Sequence, residues 1–149
     1  MPASRGEFKT LATNHQNWYL ATSYTTNRRF EDVAVSMQRK WTECYFVERT
    51  TTRTQGGMTT SRYKDTFHPR VTKVSNALVE MTLQVSTEGM IMLNKIPEGG
   101  EYRVVLDLER LPGNKTKLSW YSPSIGGWQK AWERNKRWSD GKDIGCDAE

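Results

Sequence analysis

Apolar and polar residues alternate through the middle of this chain and fall at helical spacing on either side of it. The clearest alternation puts Ala77, Val79, Met81, Leu83 and Val85 on one side of Leu78, Glu80, Thr82 and Gln84, the pattern of a strand with one buried face. Tyr102, Val104, Leu106 and Leu108 repeat it, with Asp107 and Glu109 expected to face solvent together. Residues 116–121 put Leu118 and Trp120 on one face. Upstream, residues 18–25 are aromatic and β-branched, with Trp18, Leu20 and Tyr24 on one side. Residues 45–55 and 59–68 are Thr-rich and polar on both faces, and Gly56-Gly57 between them marks a hairpin. RVTKV after Pro69 extends the second run to a turn at Ser75-Asn76, and MIMLN is an apolar run too brief for a helix. Short turns between successive strands predict an antiparallel meander.

Two segments have helical spacing instead. Phe30, Val33, Ala34, Met37, Trp41 and Cys44 recur every three or four residues, with acids early and bases late as the helix dipole prefers. Thr26 or Asn27 is the expected cap. The second stripe is Ile125, Trp128, Ala131, Trp132 and Trp138, interrupted by Asn135, entered through Pro123 and ended by Ser139-Asp140-Gly141. Residues 1–15 show no periodicity and read as a leader, disordered or foreign to the domain, which leaves residues 16–149 as one domain. The fold predicted is α+β: an antiparallel meander of about six or seven strands, a helix after the first strand and a C-terminal helix on one face. This order of elements resembles the helix-grip folds, in which a sheet wraps a long C-terminal helix.

Composition changes the picture in one respect. Only 36% of the 149 residues are hydrophobic while 11% are aromatic, so rings must supply much of the core. The net charge of +5 is uneven: residues 1–75 hold 12 Lys and Arg against 6 Asp and Glu, and residues 76–149 hold 10 against 11. A basic half fits an acidic partner or a solvated face, and the absence of any block of five like charges argues against a nucleic-acid tail. No apolar run reaches the ~20 residues of a membrane span, and MPASRGEF lacks the apolar stretch of a signal peptide.

Candidate chemistry is sparse. Cys44 and Cys146 have no CxxC spacing; the alternatives are a long-range disulfide and two buried thiols, and the polar tail around Cys146 favours the bridge. His15 and His68 stand in no metal-ligand pattern, the glycine pairs lack a phosphate-loop context, and no nucleophile, base or carboxylate pair emerges, so neither catalysis nor a cofactor is expected. Asn114-Lys115-Thr116 matches a glycosylation sequon that is short enough to arise by chance. Met81, Met90, Met92, Trp120, Trp128 and Trp132 are candidates to line either a ligand cavity under the last helix or simply the core. Lys130, Arg134 and Arg137 share one face of that helix beside the Trp stripe, a candidate basic interaction surface.

FEDVAVSMQRKWTEC in the first helix, IPEGGEYRVVLDL, YSPSIG and the closing DGKDIGC resemble a group of uncharacterised small bacterial envelope lipoproteins, over about residues 19–146. The resemblance implies export to the periplasm or the outer membrane, pairing of Cys44 with Cys146, and no catalytic residue. The expectation is a non-enzymatic cell-envelope binding module whose partner is another envelope protein. The alternatives are a carrier of a small apolar ligand between sheet and last helix, and a binder of nucleic acid or an anionic surface.

Overall fold

The computed structural model describes residues 2–16, 18–88 and 97–147. Its elements in chain order are α1 (Arg5–Thr13), β1 (Tyr19–Thr26), α2 (Phe30–Tyr45), β2 (Glu48–Gln55), β3 (Met58–Ser75), β4 (Leu78–Glu88), β5 (Glu101–Leu111), β6 (Lys115–Pro123) and α3 (Trp128–Ser139). The strands form one antiparallel sheet of six in the order β1-β6-β5-β4-β3-β2, a meander from β2 to β6 whose last strand returns beside the first. This is the expected α+β architecture, with a helix after the first strand and a C-terminal helix, in helix-grip order. MIMLN lies outside the described residues.

The inner face of the sheet carries the core. Val79, Met81 and Leu83 of β4, Val104, Leu106 and Leu108 of β5, and Leu118 and Trp120 of β6 meet Phe30, Val33, Met37 and Trp41 of α2 and Ala131, Trp132 and Trp138 of α3. Trp120 stacks on Trp132 with ring centroids 5.3 Å apart. A buried indole must still place its N–H. Trp41 donates to Asn135 Oδ1 (2.7 Å), Trp120 to Ser122 Oγ (2.9 Å) and Trp138 to the Ile144 carbonyl (3.0 Å). Each such ring removes roughly 150–250 Å² from water, which is how a chain poor in aliphatic residues closes its core.

The outer face corrects two expectations. Residues 5–13 are not a disordered leader but α1, with Ser4 Oγ accepting from the Glu7 amide (3.1 Å) and Phe8 and Ala12 buried. Phe8 packs edge-on against Tyr19. Asp107 does not face solvent beside the exposed Glu109; it lies under α1, where Lys9 reaches both Asp107 (2.8 Å) and Glu80, and Arg5 reaches Glu80 (2.9 Å). The half-buried strand predicted at residues 77–85 is therefore covered on both faces, and Glu80, Thr82 and Gln84 are buried.

Several local readings shift as well. Arg29, not Thr26 or Asn27, is the residue before α2 and gives no side-chain cap; Thr26 instead donates to Asp140 Oδ1 (2.7 Å). Pro123 closes β6 rather than opening α3, and Ile125 lies exposed in the connection. Trp18 precedes β1 with φ +65° and is exposed, so it does not share the inner face. Gly100 (φ +109°) is required where the loop enters β5, since a Cβ there would sit 2.3 Å from the Val85 carbonyl oxygen.

Candidate functional site

Helix α2 ends at Tyr45, and its next-to-last residue, Cys44, is bonded to Cys146 across 102 residues of sequence, with Cα atoms 5.3 Å apart. The bridge latches the segment after α3 to the end of α2. Three further bonds hold that segment: Lys40 Nζ to the Ile144 carbonyl (3.0 Å), Lys40 to Asp143 (2.6 Å), and the Trp138 indole to Ile144. The chain beyond Tyr45 turns outward into β2, with the Phe67 amide donating to the Val47 carbonyl (2.8 Å). A cleft of about 500 Å³ is left between this corner, the inner face of the sheet and the first turns of α3.

Its walls mix apolar and aromatic side chains with three charged ones, Arg49, Arg134 and Asp147. Tyr45 and Val47 contribute from the α2–β2 corner, Phe67 and Leu83 from the sheet, Trp128 and Ala131 from α3, and the disulfide closes one side. Spacing on α3 explains the set: residues 128, 131 and 134 point the same way. Gly127 opens the rim because it has no side chain, and a Cβ there would meet nothing within 4 Å.

Arg49 and Asp147 are exposed on the lining, and two further polar side chains are less so. Asn135 is fully buried, its Oδ1 accepting from Trp41 and its Nδ2 donating to Tyr45 Oη (3.0 Å) and to the Ala131 carbonyl (2.7 Å). Beside it Arg134 lines the cleft, and its Nε is buried with no hydrogen-bond partner. Burial pushes the Tyr45 phenol up, against the opposing pull of the Arg134 guanidinium and the Asn135 amide. A buried N–H donor without an acceptor costs free energy.

The candidate residues fall into distinct places. Met81, Trp120 and Trp132 are core, with exposures of 0%, 1% and 3%; Trp128 alone of that group lines the cleft, and Met90 and Met92 lie outside the described residues. The basic trio separates too: Lys130 is exposed, Arg137 is half-buried, and Arg134 turns into the cleft. Sequence reasoning missed Tyr45, Val47 and Phe67. Tyr45 follows Trp41 by four residues and extends the α2 stripe, a usable signal; Val47 and Phe67 meet only through strand register, which no local pattern reveals.

His68 Nε2 lies 3.0 Å from Ser86 Oγ across β3 and β4, a nucleophile–base distance. Neither residue lines the cleft beside the disulfide, and the contact is a cross-strand hydrogen bond. No three His, Cys, Asp or Glu side chains among the described residues gather as a metal site would require. No helix among them is long and apolar enough to cross a membrane.

No protein-family model matches the chain, and no curated protein matches it. Among solved structures it is similar to the hypothetical protein jhp0584 from Helicobacter pylori, with a TM-score of 0.41, 11% identity, and 89% of this chain and 90% of that one covered. It is also similar to protein CV1439 from Chromobacterium violaceum, with a TM-score of 0.39, 8% identity, and 83% and 97% covered.

Proposed function

We propose that this chain is a non-enzymatic binding module of the bacterial cell envelope that holds a small amphipathic anion in the cleft beside Cys44–Cys146. The ligand class is an apolar body carrying a carboxylate. The single observation behind this reading is the Arg134 guanidinium, which lines a cleft whose walls also carry Tyr45, Phe67 and Trp128. The cleft's volume of about 500 Å³ lies within the usual range of small-molecule sites. The disulfide supports an oxidising compartment, since such bonds persist in periplasmic and secreted proteins and are rare in the cytosol.

Decanoate and decanol separate the two parts of the proposal. Trp128 at the wall makes tryptophan fluorescence a direct readout. Decanoate is expected to bind saturably and decanol more weakly. Arg134→Gln is expected to weaken decanoate about tenfold, the worth of a charged hydrogen bond of roughly 1.5 kcal/mol, and to leave decanol unchanged. Equal binding of acid and alcohol, or no saturation by either, overturns the reading.

A further inference from the structure

A second hollow, of about 150 Å³, opens between the middle of α2 and the end of α3, and it shares no lining residue with the cleft. Arg28, Arg39, Lys40 and Lys142 line it together with one carboxylate, Asp143. Four cations against one acid is a large local excess in a chain whose net charge is +5.

Two of the cations, Arg28 and Lys40, are held in place. Arg28 lies across the carboxyl end of α3, its Nη1 donating to the Ser139 carbonyl (3.2 Å) and its Nη2 to Ser36 Oγ (3.4 Å). Gly141 (φ +90°) keeps the hollow open, because a Cβ there would stand 3.2 Å from Arg28 Nε. The Lys40 side chain is only 6% exposed, and its ammonium shares Asp143 Oδ1 with Arg39, at 2.6 Å and 3.6 Å. Asp143 itself is 73% exposed. One solvated carboxylate is thus the counterion for Lys40 and Arg39, and it shows where a negatively charged oxygen is held.

We propose that this hollow binds a phosphate group. A tetrahedral oxyanion presents acceptors in several directions at once, which suits two guanidinium forks and two ammonium groups on α2, just before it and on the tail. The hollow is several times the ~30 Å³ share of one water molecule, room for a phosphorus with its oxygens but not for a large ligand. A free phosphate and the phosphate of a lipid headgroup offer the same chemistry. Asp143 competes for the same cations and so weakens the site.

Titration with inorganic phosphate, followed through the amide resonances of Gly141 and Lys142 and matched to chloride at equal ionic strength, tests this directly. Saturable shifts with phosphate alone are expected. Asp143→Asn, a near-isosteric change, is expected to tighten binding about fivefold, and the Arg39→Gln/Lys142→Gln pair to weaken it about tenfold, as loss of charged partners implies. Equal shifts with chloride, or no change in Asp143→Asn, overturn the proposal. Flotation with phosphatidylcholine vesicles containing phosphatidate then separates the sources: binding competed by inorganic phosphate supports a headgroup, and phosphate binding without vesicle binding supports a soluble ion. Decanoate binding is expected to be unaffected by these substitutions, so this site and the cleft fail or stand separately.

Discussion

The two faces of the sheet hold their helices by different physics. On the inner face α2 and α3 dock through area: four buried indoles, a row of aliphatic residues, and one buried amide, Asn135, that ties Trp41 to Tyr45. On the outer face α1 buries only Phe8 and Ala12 and otherwise rests on charge, with Lys9 and Arg5 set against Glu80 and Asp107. Apolar burial is non-directional and survives small shifts, whereas a partly buried ion cluster repays its desolvation only in good geometry. The outer cluster is not fully satisfied, since Asp107 Oδ1 is buried without a partner. Burial pushes the Asp107 carboxyl up, against the pull of Lys9, with Glu80 adding to the rise. Burial pulls the Lys9 ammonium down, but its bonds to Asp107 and Glu80 outweigh that and hold it above its ordinary value. The inner face therefore carries the fold, and the outer face carries an element that can be loosened without unmaking it.

Asn135→Ala strikes the inner face hardest. It leaves the Trp41 indole N–H buried without an acceptor, strips Tyr45 of a donor and opens a small cavity. The expected cost is about 3 kcal/mol, or a fall of roughly 6–12 °C in Tm for a chain of this size. Thermal unfolding followed by near-ultraviolet circular dichroism measures it, and a loss below about 1 kcal/mol would show that Asn135 does not clamp the two helices.

Lys9→Met strikes the outer face. Two carboxylates then face each other under α1 with Arg5 as the remaining cation, at an expected cost of about 2 kcal/mol to the docking of α1. Amide exchange in residues 5–13 should quicken by roughly tenfold or more, while the near-ultraviolet signal of the inner indoles stays as it was. Adding Glu80→Gln and Asp107→Asn removes the repulsion and should restore most of the protection. Equal acceleration in β5 would erase the distinction between the faces.

The inner face was the legible one. Its strand alternation and the α2 stripe are local periodicities, and they marked Val79, Met81, Leu83, Leu106, Trp41 and Trp132 as one set. The outer face was not, because α1 has few apolar residues and sits on polar ones. Yet a signal was there: Ser4-Arg5-Gly6-Glu7 matches a capping box, and Phe8 and Ala12 follow four apart. Asp107 illustrates the limit of alternation, which tells which side a residue faces but not whether a distant helix covers that side. Cys44 and Cys146 were legible as a pair and are bonded. The cleft was not, since Tyr45, Val47, Phe67 and Arg134 converge only once register, the end of α2 and the latched tail are all in place.

The smallest expected effect comes from Tyr24, at the end of the inner face. Its hydroxyl donates to Asp140 Oδ2 (2.6 Å), and that bond, with burial and the Asp140 charge adding to it, pushes the phenol up to about 12. A phenol whose folded value lies above its unfolded one, near 10, keeps its proton longer in the folded chain. The stability it contributes is complete below about pH 10 and is lost as pH climbs towards 12. Because Tyr24 is partly exposed, solvent screening holds the effect to roughly 0.5 kcal/mol or less. Tyr24→Phe should therefore flatten, by that small amount, the fall in denaturant midpoint between pH 10 and 12. Lys9 loses its proton in the same alkaline range, and with it its hold on Glu80 and Asp107, so part of the fall belongs to the outer face and should persist in Tyr24→Phe. Combining the substitution with Lys9→Met separates the two contributions. If Tyr24→Phe leaves the curve where it was while Lys9→Met flattens it, the alkaline weakness belongs to the charged face rather than to Tyr24, and the contrast between the two is sharper than Tyr24 makes it look.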